Sequence, residues 1–325
     1  MTDFPLNKIL CGDALTVLRG FPSECVDCVV TSPPYYGLRD YGVAGQLGLE
    51  ETPEAYIERL ADVFDEVRRV LRKDGTVWVN VGDSYAGGSG RWGGNKNVSD
   101  FQKASKGSLT QITHTKRWKH DTIKTKDLIG IPWALAFELR RRGWYLRQAI
   151  IWHKPNPMPE SVKDRCTKSH EYIFLLSKRP KYYFDYEAIQ ELASYDGRQD
   201  TVFKGSDKYA GSGTGHQAQS FAANGHERWQ KNENNEFVRN KRDVWTVPTR
   251  AETESHFAVF PQALIADCIK AGCKPGGVVL DMFMGSGTTA VVAKKLERNF
   301  VGIELNSEYV KIAERKLRRE LGMWL

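Results

Sequence analysis

Val278-Val279-Leu280-Asp281-Met282-Phe283-Met284-Gly285-Ser286-Gly287-Thr288-Thr289 is the stretch that decides how this chain folds. Three apolar residues predict a buried strand, and an acidic residue closes it. Gly285 and Gly287 let the backbone turn tightly and approach a ligand. Thr288 opens a helix predicted to run to Arg298, and the first turn of a helix presents N–H groups without partners. A further strand follows at Phe300–Ile303. Glu304 ends it, seventeen residues past Gly287, where an acidic side chain can bind the two ribose hydroxyls of an adenosine. Strand, acidic turn, glycine loop, helix, strand is half of a nucleotide-binding α/β sheet.

The loop departs from a dinucleotide fingerprint, because the third glycine of G-x-G-x-x-G is Ala290 here. Asp281 would also repel a pyrophosphate, and it favours a cationic group such as an α-ammonium or a sulfonium. S-adenosylmethionine carries adenosine and both cations without phosphate, so it fits better than NAD. Each residue also has a plainer reading: Asp281 as a turn cap, Glu304 as a solvated strand end.

The α/β order extends outward from this motif. Pro261–Lys270 is predicted as the helix before it and Ser307–Leu321 as a charged helix after it. At the other end of the chain, Ile9–Leu10 and Val26–Val30 read as strands. Thr52-Pro53 reads as an N-cap with proline at the first helical position. Tyr56, Leu60, Val63, Phe64, Val67, Val70 and Leu71 recur at helical spacing. Asp74-Gly75 is expected to end that helix before a strand at Thr76–Val81. Pro132–Arg142 is predicted as a helix, and Tyr145–Trp152, Glu171–Leu176 and Tyr182–Phe184 as strands.

A second motif, Thr31-Ser32-Pro33-Pro34-Tyr35, follows the strand at 26–30. Two prolines fix the backbone and donate no N–H. The carbonyls of Ser32 and Pro33 are then free to accept hydrogen bonds, with a hydroxyl before the prolines and an aromatic ring after. Such a loop suits a planar group carrying an NH2, and a nucleobase amine fits. The alternative is a stiff exit from a strand.

Charge is localised. The 325 residues carry a net +7, and 41% are hydrophobic, enough for a large core. The segment 84–126 holds nine basic residues against Asp100 and Asp121, which equals the whole excess. Arg91, Lys96, Lys116, Arg117 and Lys119 are its candidates for contact with phosphates; a solvated basic loop is the plainer reading. A second irregular stretch, about 194–243, is polar, with eight basic and seven acidic residues. Loops this long are unusual in compact domains unless functional or disordered.

Other features stay secondary. No apolar run reaches the length of a membrane span, and the first residues lack the pattern of a signal peptide. Six cysteines in this length do not form a disulfide framework, so a cytoplasmic home is expected. Cys25-x-x-Cys28 has the spacing of half a zinc site but no second half, which favours core packing, and no metal is expected. His170 reads as a structural hydrogen-bonder. Trp92, Trp118 and Trp229 serve either base stacking or local packing.

With both motifs read, the chain resembles the amino-methyltransferases of DNA, which methylate exocyclic amines of cytosine or adenine. Residues 31–35 resemble their catalytic motif and 281–289 their S-adenosylmethionine motif. The order, catalytic motif first, is similar to the beta subgroup. Gly12-Asp13 resembles the segment whose Asp contacts the adenine of the cofactor. His256-Phe257-Ala258-Val259-Phe260-Pro261 resembles the segment that closes over the methionine moiety. Trp152-His153-Lys154-Pro155-Asn156 and Ser169-His170-Glu171 resemble the middle blocks.

The resemblance implies a Rossmann-like methyltransferase fold, a mixed seven-stranded sheet with helices on both faces. Residues 1–185 and 244–325 would form the catalytic domain, with the basic insertion 84–126, and 186–243 the target recognition region. It implies Ser32, Pro33, Pro34 and Tyr35 as catalytic residues. Asp13, Thr31, His256, Phe260, Asp281, Phe283, Gly285, Ser286, Gly287, Thr288, Thr289 and Glu304 would bind the cofactor. Double-stranded DNA is the implied partner, with a cognate restriction endonuclease acting separately and a homodimer as further expectations. A bacterial, archaeal or phage origin follows. Ser at position 32 goes in that family mostly with cytosine N4, and Asp or Asn there mostly with adenine N6. Cytosine N4 is therefore favoured over adenine N6, with RNA or protein-glutamine methylation more distant.

Overall fold

The structure, a computed structural model, describes residues 4–38, 40–87, 120–193, 230–231, 233–234, 236–249 and 260–322. The chain divides into two compact units, Met1–Asp185 with Asp243–Leu325, and Tyr186–Arg242.

The larger unit is built on one sheet. Its strands are β1 (Lys8–Cys11), β2 (Val26–Thr31), β3 (Leu71–Val81), β4 (Tyr145–His153), β5 (His170–Ser177), β9 (Val244–Thr246), β10 (Val278–Asp281) and β11 (Asn299–Glu304). They lie in the order β1-β11-β10-β2-β3-β5-β4-β9. The first five are parallel, and β5 runs against both β3 and β4. Eight strands replace the expected seven. The addition is β9, three residues paired in parallel with the edge strand β4, too short to show a period.

Helices α1 (Ala14–Arg19), α2 (Pro53–Val70) and α3 (Ile131–Arg141) pack together over one face, and α4 (Gln262–Gly272), α5 (Thr288–Lys295) and α6 (Ser307–Leu321) over the other. With both faces covered, β2 and β10 read as apolar runs rather than alternating ones. Val29, Val77 and Val79 face α2 and α3, whereas Gly272 of α4 sits against Thr76, Trp78 and Cys28. Cys28 is fully buried there and Thr76 Oγ1 donates to its Sγ, so it serves the core.

Thr52 caps α2 as expected, its Oγ1 accepting from Ala55 N at 3.1 Å, with Pro53 behind it. Two local expectations are corrected. Leu71 belongs to β3, not α2, because it pairs with Val26, and the register then jumps so that Cys28 faces Thr76. Asp74-Gly75 lies in that irregularity, where a Cβ on Gly75 would come within 2.7 Å of the Asp27 carbonyl. Tyr182–Phe184 is not a strand. Tyr183 N bonds the Asp74 carbonyl and Asp185 N the Ala271 carbonyl, while Phe184 stacks on Trp78.

The basic insertion leaves and rejoins the unit through a pinned stem. Ala86 N donates to the Asp127 carbonyl and Lys126 N to the Ala86 carbonyl, both at 2.8 Å. Arg91, Lys96, Lys116, Arg117 and Lys119 lie outside the described residues, as do Trp92, Trp118, Trp229 and His256. The smaller unit contains an antiparallel sheet β6-β8-β7 (Glu191–Leu192, Phe237–Arg239, Gln230–Lys231), in which Arg239 and Arg242 both bond Glu191. Among the described residues no helix is long and apolar enough to cross a membrane.

Candidate active site

β2 and β10 are neighbours although some 250 residues separate them, and their carboxyl ends carry the two motifs. In open α/β sheets the ligand crevice lies at such carboxyl ends. One hydrogen bond joins the motifs: Thr31 Oγ1 donates to Asp281 Oδ1 at 2.6 Å, fully buried. Above it opens a cavity lined by Asp13, Ser32 to Tyr35, Phe260, Met282 to Ser286, Thr288 and Glu304.

Asp281 does not line this cavity. It is 1% exposed, and its Oδ1 also accepts Phe283 N while Oδ2 accepts the Thr289 hydroxyl at 2.6 Å. Burial pushes its carboxyl from 3.8 up to about 6, against three hydrogen bonds that lower it. The structure thus realises the turn-anchoring reading: Asp281, Thr31 and Thr289 fix the loop from beneath. Gly287 also lies off the cavity wall. It holds φ +84°, and a Cβ on it would meet Ala313 Cβ of α6 at 2.8 Å.

Glu304 does line the cavity. Its Oε2 accepts Gly285 N at 2.8 Å and its Oε1 accepts Asn306 N at 2.9 Å, and burial raises its pKa. A carboxylate has about four acceptor positions, so it can still receive hydroxyls. Asp13 caps α1 with Oδ1, accepting Thr16 N and Oγ1, and it lines the same cavity. Two carboxylates and no Lys or Arg stand among the described lining residues. That donor set suits a ligand of hydroxyls and cations, as S-adenosylmethionine is, and leaves a pyrophosphate unpaired.

The Pro-Pro-Tyr loop is held rigidly. The Pro34 carbonyl is taken by the Tyr56 hydroxyl at 2.7 Å, while the Pro33 carbonyl has no donor among the described residues. Tyr35 donates its phenol proton to Glu171 Oε2 at 2.6 Å. Its ring rests on Gly82, where a Cβ would come within 2.6 Å of Cε2. Burial and the Glu171 carboxylate raise its pKa well above the usual phenol range, while the Ser32 hydroxyl opposes them. Glu171 is in turn held by Asn80 Nδ2 and by Lys154, whose ammonium lies over the Trp152 ring.

Several cavity residues give no signal in the sequence. Leu38, Tyr41, Val43, Gly45, Gln46 and Leu47, on the loop between β2 and α2, cover one side with Tyr309 of α6. Glycines 37, 42, 45 and 48 mark that segment as a loop but not what it covers. Glu171 and Lys154 fall in the middle blocks without revealing that they meet Tyr35.

A family model described as DNA methylase, for N6 and N4 amino-methyltransferases, matches residues 26–315. The chain belongs to that family. This amino-methyltransferase is 47% identical over 313 residues to the Type II methyltransferase M.SmaI of Serratia marcescens, covering 96% of this chain and 91% of that one. Its fold is similar to that of a Thermus thermophilus protein solved in complex with S-adenosyl-L-methionine (TM-score 0.57, 22% identity, 98% and 95% of the two chains). It is also similar to the cytosine-N4-specific PvuII DNA methyltransferase (TM-score 0.59, 18% identity, 94% and 84%). The enzyme is an S-adenosylmethionine-dependent methyltransferase of DNA amines.

Proposed function

We propose that the methyltransferase acts on the N4 amine of cytosine in duplex DNA, at a specific sequence, with the target base flipped out of the stack. The observation that carries the choice of base is Ser32 at the head of Pro33-Pro34-Tyr35, on a loop that opens to the cofactor cavity. Bound S-adenosylmethionine supplies an electrophilic methyl group on a sulfonium. Ser32 Oγ and the Pro33 carbonyl accept hydrogen bonds from the two amine N–H groups and draw electron density back to nitrogen. Methyl transfer would leave S-adenosylhomocysteine, and the surplus proton on nitrogen departs afterwards. Tyr35, fixed by Glu171 and Gly82, stacks on the extruded ring. The rate gain is chiefly positional, since the loop holds the amine in line with the methyl group.

Glu304 binds the ribose hydroxyls, and Asp13 contacts the adenine. Phe260, Phe283 and Ser286 enclose the methionine portion with His256, and Gly285 and Gly287 shape the loop beneath it. Residues 186–243 read the bases. The insertion 84–126 meets the phosphates through Arg91, Lys96, Lys116, Arg117 and Lys119. Likeness to a Type II methyltransferase supports a role beside a restriction endonuclease.

The test is direct. Unmethylated DNA of diverse sequence is incubated with the enzyme and S-adenosylmethionine, digested to nucleosides and weighed. N4-methylcytosine is expected. N6-methyladenine replaces the target base, and no modified base refutes both.

A further inference from the structure

The glycine loop is backed by a buried cation that the proposed reaction does not use. Lys316 of α6 is 3% exposed, and its Nζ donates to Thr288 Oγ1 at 2.9 Å. Thr288, itself 3% exposed, lines the cofactor cavity at the first residue of α5. The approach is enforced by packing, since Gly287 leaves no space for a Cβ against Ala313, one turn before Lys316. Near Lys316 on the same helix is Glu320, whose carboxylate bonds Lys295 and Gln262 and senses the Lys316 charge.

A threonine hydroxyl that accepts from an ammonium has its own proton to place elsewhere. Thr288 lines the cofactor cavity, where a bound acceptor can take that proton. No described side chain caps α5, whose N-terminus carries the positive end of the helix dipole. A hydroxyl polarised by a cation is a stronger donor. The cavity therefore presents a carboxylate at Glu304 and a hydroxyl donor at Thr288.

We infer that Lys316 is a positioning residue for the carboxylate of the cofactor: it polarises Thr288, which with the start of α5 binds the amino-acid end. This rests on S-adenosylmethionine occupying the cavity. Glu304 excludes a carboxylate from its own end by like charge, so the pair fixes which way round the cofactor lies.

Two ligands separate this role from a structural one. S-adenosylhomocysteine has the carboxylate; 5′-methylthioadenosine shares the nucleoside and lacks the amino-acid part. Calorimetric titration of Lys316→Met, which keeps the stem and removes the charge, is expected to show S-adenosylhomocysteine affinity reduced about tenfold or more, as for a lost charge-assisted hydrogen bond. Affinity for 5′-methylthioadenosine should stay within about twofold, and Lys316→Arg should restore most of the difference. Equal losses for both ligands, or no loss for either, overturns the assignment. Should Lys316→Met fail to fold, Thr288→Val is titrated with the same pair, and an equal loss there overturns it too. If the wild-type enzyme binds neither ligand, the cofactor reading fails instead.

Discussion

Asp281 shows how a residue can matter to a site that it does not touch. Its carboxylate lies under the glycine loop, holding β2 through Thr31 and α5 through Thr289. Such burial is tolerable because three hydrogen bonds satisfy it, yet desolvation still wins and raises the pKa from 3.8 to about 6. The folded state then binds this proton more tightly than the unfolded chain. The contribution is fully present below pH 3.8 and is lost as pH rises through about 6. Asp281→Asn cannot ionise and has no such slope. The stability of the wild type relative to the variant should therefore fall by about 2–3 kcal/mol between about pH 4 and about pH 6.5, measured by urea denaturation. A difference that stays flat across this window would refute the desolvation account. Comparing the two proteins at each pH cancels the titration of all other carboxylates.

At the scale of elements, the site is a junction of strand ends, and that decides what could be read in advance. The Pro-Pro-Tyr loop and the glycine loop are local: proline, glycine and the strand before each dictate the backbone within a few residues. Both were legible for that reason, as were α2 with its Thr52-Pro53 start and the strand ending at Glu304. Residues that arrive from elsewhere were not. Tyr309 and Lys316 lie on a helix whose sequence reads as charged, and the approach of Ala313 to Gly287 marks the face that packs inward. Apolar spacing draws Leu71 into α2, although pairing with Val26 claims it for β3. Gly82, just past β3, is a further contact that only the fold reveals. Its missing Cβ makes room for Tyr35, whose ring cannot swing away while its hydroxyl is held by Glu171. Gly82→Ala should displace the ring at an overpacking cost of roughly 1–3 kcal/mol, read as a fall of about tenfold or more in kcat/KM. S-adenosylhomocysteine affinity should remain within about twofold, since the cofactor contacts are untouched. Unchanged turnover would show that the ring is free to move.

Across the whole molecule, charge and chemistry are carried by different parts of the chain. The excess of +7 resides in 84–126, whereas the described cavity lining contains acids and no basic side chain. The two are connected at a defined place, because the insertion springs from the end of β3 and its stem closes at Ala86, Lys126 and Asp127. Because both ends of the stem are pinned, residues 88–119 can be replaced by a short Gly-Ser loop across it. For every phosphate that is no longer neutralised, the slope of log affinity against log salt becomes shallower by about 0.9. If Arg91, Lys96, Lys116, Arg117 and Lys119 all meet phosphates, the slope should fall by about four to five. DNA binding should weaken at low salt and approach the wild-type value as salt rises. S-adenosylhomocysteine affinity and urea stability should hold, because the stem and the core of the described residues are retained. An unchanged salt slope, measured by anisotropy titration of a labelled duplex, would show that this segment does not meet the backbone and would move the phosphate contacts to another surface of the enzyme.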